Sequence, residues 1–117
     1  MSTFDNNVYA VNAYLADVST AGQIYVVAPF GGEIVKAYSV LNGAIATADA
    51  VLTLKIGGTE VTGGTITIAN ASSAAGDVDS CTPTAANSVT DGQAIEIETD
   101  GASTNTVPVM LTILIRR

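Results

Sequence analysis

Two glutamates spaced two residues apart are the arrangement in this sequence that comes nearest to an acid–base pair. Glu96 and Glu98 lie in the run Ala94-Ile95-Glu96-Ile97-Glu98. If the run is a strand, both carboxylates sit on one face about 6.6 Å apart along the backbone. The same run alternates isoleucine with glutamate, which favours isoleucines in the core and glutamates in water. We therefore predict a solvated strand face here and no catalytic pair.

Four aspartates could supply oxygen ligands for a calcium ion. Asp77 and Asp79 lie close in sequence, and Asp91 and Asp100 fall in nearby predicted turns. Calcium favours such acidic loops, but their spacing matches no calcium-binding loop, so calcium binding stays an open alternative. The sequence also contains no histidine, the commonest general base and metal ligand. We predict no catalytic residue, no metal site and no cofactor.

The single cysteine and the two C-terminal arginines carry the other reactive or charged groups of interest. Cys81 has no cysteine partner for an internal disulfide and no histidine or nearby lysine to lower its pKa, so we predict a small buried side chain. Arg116 and Arg117 form a basic tip on an acidic chain. We interpret this tip as a solvated terminus, with docking on an acidic partner as the alternative.

Composition narrows the class of protein and its partners. The 117 residues are 48% hydrophobic and 13% charged, which is typical of one folded domain. The net charge of -7 has the wrong sign for holding phosphate backbones, so we predict no nucleic-acid partner. The longest apolar stretches, Ile24–Phe30 and Val107–Ile115, are shorter than the roughly 20 residues of a membrane-spanning helix, so we predict no membrane partner.

Short alternating segments between glycine, proline and Asn-Gly turns predict about eight short strands and no helix. Paired glycines at 57–58 and 63–64 are interpreted as tight turns. Residues 70–91 are predicted to be a long surface connection with at most one short strand. The eight predicted strands are Val8–Leu15, Gln23–Ala28, Glu33–Leu41, Ala50–Ile56, Thr59–Thr62, Thr65–Ala69, Gln93–Thr99 and Val107–Ile115, and Val78–Cys81 is the short strand that the long connection could add.

This pattern predicts a single all-β domain, a β-sandwich or jelly roll. Residues 21–117 form the predicted β-sandwich domain. Residues 1–20 are an N-terminal segment with two alternative roles, a first strand of the sandwich or an arm that contacts a partner.

Several of these strand-and-turn runs resemble the cement or decoration proteins on the heads of tailed bacteriophages. The resemblance covers most of residues 23–115 and is carried by fold motifs without a catalytic signature. The similar runs are Ile24–Ile56, Gly63–Ile68, Ser73–Ser80 and Asp91–Gly101.

The resemblance implies a structural virion protein and no enzyme. It implies a β-sandwich, assembled as a homotrimer, that binds the major capsid protein on the outer surface of an icosahedral shell. There it would stabilise the capsid by bridging capsid subunits. It also implies synthesis in the bacterial host cytoplasm and final location in the virion.

Two sets of residues are candidates for contacts in such an assembly. The N-terminal segment is more apolar than a free arm requires, and Val107–Ile115 carries apolar residues on both faces. The capsid-contact candidates are Phe4, Val8, Tyr9 and Tyr14. The subunit-interface candidates are Met110, Leu111 and Leu114.

The alternative function is a module of a phage fibre or knob that binds a receptor or glycan. Such a module needs an exposed aromatic platform. Aromatic residues make up only 5% of the chain, and we expect packing within the fold to account for Tyr25, Phe30 and Tyr38.

Overall fold

The computed structural model describes residues 7–117, which form nine strands in two antiparallel sheets. No helix occurs in this part of the chain, and so none there is long and apolar enough to cross a membrane. The strands are β1 (Val8–Leu15), β2 (Gly22–Val27), β3 (Gly32–Leu41), β4 (Ala50–Ile56), β5 (Thr59–Ile68), β6 (Val78–Cys81), β7 (Ser88–Val89), β8 (Ala94–Thr99) and β9 (Val109–Arg116).

The order of the strands is that of a jelly roll. The five-stranded sheet runs β1-β9-β3-β6, with β7 also paired to β3, and the four-stranded sheet runs β2-β8-β4-β5. Along the chain, β1 pairs with β9, β2 with β8, β3 with β6 and β7, and β4 with β5. This is a long antiparallel ribbon folded over on itself. The all-β sandwich predicted from the sequence is confirmed, and the strand beyond the predicted set is the two-residue β7.

The core lies between the two sheets and follows from period-two alternation. In β8, Ile95 and Ile97 are fully buried, whereas the intervening Glu96 and Glu98 point outward and are half-buried. The same alternation runs through β4 and β9. Burying one apolar face from each sheet is the main source of stability in such a sandwich.

The second glycine pair does not form a turn, contrary to the sequence prediction. Gly57 and Gly58 both have positive φ and make the two-residue turn between β4 and β5. Gly63 and Gly64 instead lie inside the single strand β5, where Gly63 has a φ of 75°. A Cβ on Gly63 would lie 2.8 Å from the carbonyl oxygen of Thr82. Glycine is needed here because a neighbouring backbone approaches closely.

Residues 70–91 form the predicted long connection, but they also complete the edge of the five-stranded sheet. The side-chain amide of Asn87 donates a 2.7 Å hydrogen bond to the carbonyl oxygen of Ile34, and the backbone N–H of Ile34 donates to the carbonyl oxygen of Asn87. These bonds lie beside a bulge in β3, where the pairing with β9 shifts between Ile34 and Lys36. Asn87 thus satisfies backbone groups close to a bulge.

Candidate functional site

An exposed apolar row crosses the outer face of the five-stranded sheet. Tyr14 of β1 lies opposite Met110 of β9, Met110 lies opposite Val40 of β3, and Val40 lies opposite Val78 of β6. Tyr14 is 56% exposed, Met110 39% and Val78 63%, and Val40 is half-buried. Residues directly opposite in antiparallel strands have neighbouring side chains. These four residues, the apolar row, therefore form a continuous surface although 64 positions separate Tyr14 from Val78 in the sequence.

Beside the apolar row lies a second row without charged side chains. It consists of Asn12, Thr112, Tyr38 and Ser80, which follow each other across β1, β9, β3 and β6. The Thr112 hydroxyl lies 3.2 Å from the Asn12 side-chain oxygen, and Tyr38 is 39% exposed. The two rows extend the uncharged surface along the strands by about 7 Å.

Charged groups begin at the other end of this face. Lys36 lies opposite Leu114, and Glu33 lies opposite Arg116. The Lys36 ammonium also lies 5.6 Å from the centre of the Tyr38 ring, a cation–π contact. The outer face is therefore apolar at one end and charged at the other. A partner would bury the apolar end at little cost in charge desolvation.

The structure brings most of the sequence-predicted contact residues onto this one face. Val8 and Tyr14 from the capsid-contact set point outward, as do Met110 and Leu114 from the subunit-interface set. The sequence assigned the two sets to separate surfaces, but β1 and β9 are neighbouring strands. Phe4 lies outside the described residues.

Leu111 cannot belong to a surface that contacts another molecule, and this corrects the sequence assignment. It is 1% exposed and belongs to the core between the sheets. Its neighbour Met110 points the opposite way because side chains alternate along a strand. The subunit-interface set therefore divides into a core residue and two outward-facing residues, Met110 and Leu114.

Tyr9 also has a role within the fold. Its side chain is half-buried against the core, and its hydroxyl donates a hydrogen bond to the carbonyl oxygen of Phe30. The Tyr9 and Phe30 rings meet edge to face with 5.8 Å between centroids, and the Arg117 guanidinium lies 4.8 Å from the centre of the Phe30 ring. The basic C-terminal tip, interpreted from the sequence as solvated, is in contact with an aromatic ring.

Six residues of the two uncharged rows were missed by sequence reasoning, namely Val40, Val78, Tyr38, Asn12, Thr112 and Ser80. Val40 and Tyr38 of β3 are placed beside β9, and Val78 of β6 beside β3, only by the register of the sheet. A signal was present in Val78, an apolar residue between two aspartates at the start of a short predicted strand. The Val78 side chain lies beside Val40 only in the observed register of β6 with β3, and the sequence alone does not define that register.

The four-stranded sheet presents a different, charged outer face. Glu98 of β8 forms an ion pair of 3.1 Å with Lys55 of β4, and Glu96 lies opposite both Lys55 and Tyr25. The hydrogen bond to Glu98 raises the pKa of Lys55. The glutamates are thus part of a solvated, cross-strand charge pattern, as predicted from the isoleucine–glutamate alternation.

Three of the four aspartates considered as calcium ligands hold loop backbones. Asp91 accepts a 2.5 Å hydrogen bond from the N–H of Gly31, and Asp77 accepts one from the N–H of Ala74. Asp100 accepts from the N–H groups of Val51 and Ala102. Within residues 7–117 no group of three or more potential metal ligands comes together.

Asp79 and Cys81 face the interior near the end of β6. Burial, with a smaller contribution from the charge of Asp77, raises the pKa of Asp79. Burial also raises the pKa of the Cys81 thiol, and Cys81 is 8% exposed, as predicted. Lys36 lies close enough to oppose this shift, so the expectation of no nearby lysine was wrong, but burial has the larger effect.

Packing does not account for the aromatic residues as fully as the sequence suggested. Tyr25 is 61% exposed, Phe30 48% and Tyr38 39%. Tyr25 stands on the outer face of edge strand β2, with Gln23 and Val27 on the same side of that strand. One exposed aromatic side chain, that of Tyr25, is therefore present on the four-stranded sheet.

Comparison with known proteins gives a fold likeness. No protein family model matches the chain, and no curated protein matches it. Among solved structures, the chain is similar to one from the acidic stable capsid structure of Helicobacter pylori bacteriophage KHP30, with 21% identity, a TM-score of 0.61 and coverage of 94% of this chain and 87% of that chain. It is also similar to CsCBM6-3 from Clostridium stercorarium, solved in complex with cellobiose, with 12% identity, a TM-score of 0.50 and coverage of 99% and 86%. At these identities the two likenesses establish a shared sandwich fold.

Proposed function

We propose that this chain is a structural virion protein that binds the outer surface of an icosahedral phage capsid. In this proposal it bridges subunits of the major capsid protein, stabilises the shell and performs no catalysis. The observation that carries the proposal is the apolar row on the five-stranded sheet. Exposed apolar surfaces that are continuous and rimmed by polar residues mark interaction sites. The fold shared with the KHP30 capsid chain gives further support.

The charge distribution favours the five-stranded sheet as the face that contacts the shell. Its apolar row and second row contain no charged side chain, whereas Glu96, Glu98 and Lys55 occupy the middle of the opposite face. Desolvating those charges would oppose binding unless the partner supplied matched charges. The homotrimer implied by the resemblance remains a prediction, and sedimentation equilibrium of the protein in solution would distinguish a trimer from a dimer.

Binding to preassembled shells tests the proposal. The shells would be assembled from the major capsid protein encoded in the same phage genome, and binding would be measured by cosedimentation. We expect saturable binding at a fixed stoichiometry and a higher rupture temperature of the decorated shell, because a ligand stabilises the state that it binds.

Substitutions on the two outer faces provide the matched comparison. Met110→Lys places a charge in the apolar row, and we expect about 10- to 100-fold weaker binding, the range for an interface residue that contributes strongly. Thr67→Lys, on the exposed outer side of β5, should bind as the unchanged protein does. No binding of the unchanged protein would contradict the proposed function. Equal binding of Met110→Lys would show that another surface contacts the shell.

A glycan-binding module remains the second candidate, because Tyr25 is exposed beside groups that can form hydrogen bonds. Gln23 lies two residues before it on the same face, and Glu96 lies opposite it. Calorimetric titration with cello-oligosaccharides would test this function. Binding that is lost in Tyr25→Ala and kept in Met110→Lys would favour the glycan-binding function over shell binding.

A further inference from the structure

Strand β1 is an edge strand with one hydrogen-bonded neighbour among residues 7–117. It pairs with β9 over eight register positions and is the outermost strand of its sheet. Because backbone N–H and C=O groups alternate in direction along a strand, about half of those of β1 point away from β9. Such a row of unpaired groups is a template for another strand.

The sequence of β1 lacks the features with which proteins protect exposed edges. Its eight residues, Val-Tyr-Ala-Val-Asn-Ala-Tyr-Leu, contain no charge, no proline and no glycine. The other edges are protected to different degrees. Strand β6 has four residues and includes Asp79, β5 contains Glu60 and two glycines, and β2 is shorter and begins at Gly22. Short length, charge and irregularity are the usual protections against edge pairing.

Incomplete burial of inward-facing residues is a second, independent observation on the same side of the sandwich. The inward-facing residues of β4, β8 and β9 are buried, but Tyr9 of β1 and Ile24 and Val26 of β2 are only partly buried against the core. Strands β1 and β2 are the edges of their sheets on this side and contact each other there. The core is therefore incompletely covered where the unprotected edge lies.

We propose that β1 pairs antiparallel with β1 of a second copy of this chain around a two-fold axis. The two five-stranded sheets would then form one continuous sheet of ten strands. This inference uses the fold and the edge chemistry alone and does not rest on the proposed function. If the function also holds, the pair would present two apolar rows on one surface, which would allow one dimer to contact two capsid subunits.

A second copy fits this edge because the strand is complementary to itself. Val11, Ala13 and Leu15 face the core, and Ala10 and Tyr14 face outward. Antiparallel pairing keeps core side with core side only when the two-fold axis passes through a residue and not between two residues.

An axis at Asn12 sets the large Tyr14 opposite the small Ala10 of the other copy. Asn12 then lies opposite its own equivalent, so two amides meet at the centre. No like charges oppose each other, since the strand has none. A two-fold axis through Val11 also pairs the core side of one strand with the core side of the other, and it sets Asn12 opposite Ala10 of the other copy.

The contact area is sufficient for a modest interface. An eight-residue strand is about 27 Å long, and the shortest dimension of the molecule is 21 Å. A dimer that covers an area of these two dimensions on each copy buries on the order of 1,100 Å² of surface in total, which is near the ~1,000 Å² that a specific interface reaches. We therefore expect a dimer that dissociates on dilution.

The oligomeric state without any shell tests the inference. Sedimentation equilibrium over a range of concentrations should fit a reversible monomer–dimer equilibrium with a monomer of 11.8 kDa. Asn12→Lys should weaken dimerisation at least ~10-fold, because it sets two like charges opposite or close to each other across the axis. Thr67→Lys, exposed on β5, should leave dimerisation unchanged. Circular dichroism checks that both variants fold.

Cross-linking locates the contact. Asn12→Cys should form a disulfide-linked dimer on mild oxidation, whereas Thr67→Cys should not. If the axis lies at Val11, a mixture of Ala10→Cys and Asn12→Cys chains should cross-link instead. Any one of three results would overturn the inference. These are a protein that is still monomeric at 100 µM, a trimer that Asn12→Lys does not affect, and disulfide cross-linking no more efficient than that of Thr67→Cys.

Discussion

Two adjacent residues of β9, Leu111 and Met110, should differ sharply in their contribution to stability. Leu111 is 1% exposed within the core, whereas Met110 is 39% exposed on the outer face. Leu111→Ala removes three carbon atoms, which costs about 2.4 kcal/mol in transfer free energy. Incomplete closure of the cavity adds to this, so we expect a total loss of about 3 to 4 kcal/mol. Met110→Ala should cost less than about 1 kcal/mol.

Urea denaturation measures both values. The chain has four tyrosines and no tryptophan, so tyrosine fluorescence and far-ultraviolet circular dichroism are suitable signals. All proteins would be compared at one concentration, because self-association contributes to apparent stability. A loss of 3 to 4 kcal/mol also lowers the melting temperature by about 12 to 16 °C.

Two outcomes of the denaturation experiment would refute this prediction. Equal losses for the two variants would mean that both faces of β9 are buried in the protein as studied. A loss below about 1 kcal/mol for Leu111→Ala would show that the core does not depend on this residue. Either result would contradict the assignment of Leu111 to the interior and Met110 to the surface.

Two further predictions concern pH and backbone geometry. Burial raises the pKa of Asp79 above its ordinary value of 3.8. The contribution of Asp79 to the free energy of unfolding is therefore constant below pH 3.8 and falls as the pH rises through the folded-state pKa. Asp79→Asn should therefore gain stability relative to the unchanged protein between pH 3.8 and 7, and denaturation at several pH values would show no such gain if the carboxyl were solvated. Gly63→Ala should lose about 1 to 3 kcal/mol, because its Cβ would lie 2.8 Å from the Thr82 carbonyl oxygen at a φ of 75°. Gly58→Ala, also at positive φ but with no atom within 4 Å of its added Cβ, should lose less, and equal losses in thermal denaturation would exclude the close contact as the cause.

The strands could be predicted from the sequence where burial follows strict alternation. Ala50–Ile56 was predicted with both of its ends, because Leu52, Leu54 and Ile56 alternate with outward-facing residues. Glycine was less informative. The pair at 57–58 and the pair at 63–64 look the same in sequence, but the first forms a turn and the second lies inside β5, where the Thr82 backbone approaches Gly63.

The candidate site was predictable only in part. The Met110 and Leu114 side chains point outward because side chains alternate along β9, and the same rule excludes Leu111 from the outer face. The apolar row itself could not be read from the sequence, because it joins residues of four strands through their register. Val78 and Tyr14 share a surface only because β9 and β3 lie between β6 and β1.

The pairing of β1 with β9 has a consequence for how the chain reaches its structure. Residues at the two ends of the described sequence, Val8 and Arg116, lie opposite each other. Strand β1 leaves the ribosome first but gains its hydrogen-bonded neighbour only after β9 has been synthesised. Until then its uncharged, β-prone sequence is exposed, and such segments are prone to aggregate. We expect the five-stranded sheet to form only after β9 has been synthesised, on the millisecond-to-second scale of proteins dominated by non-local strand pairing.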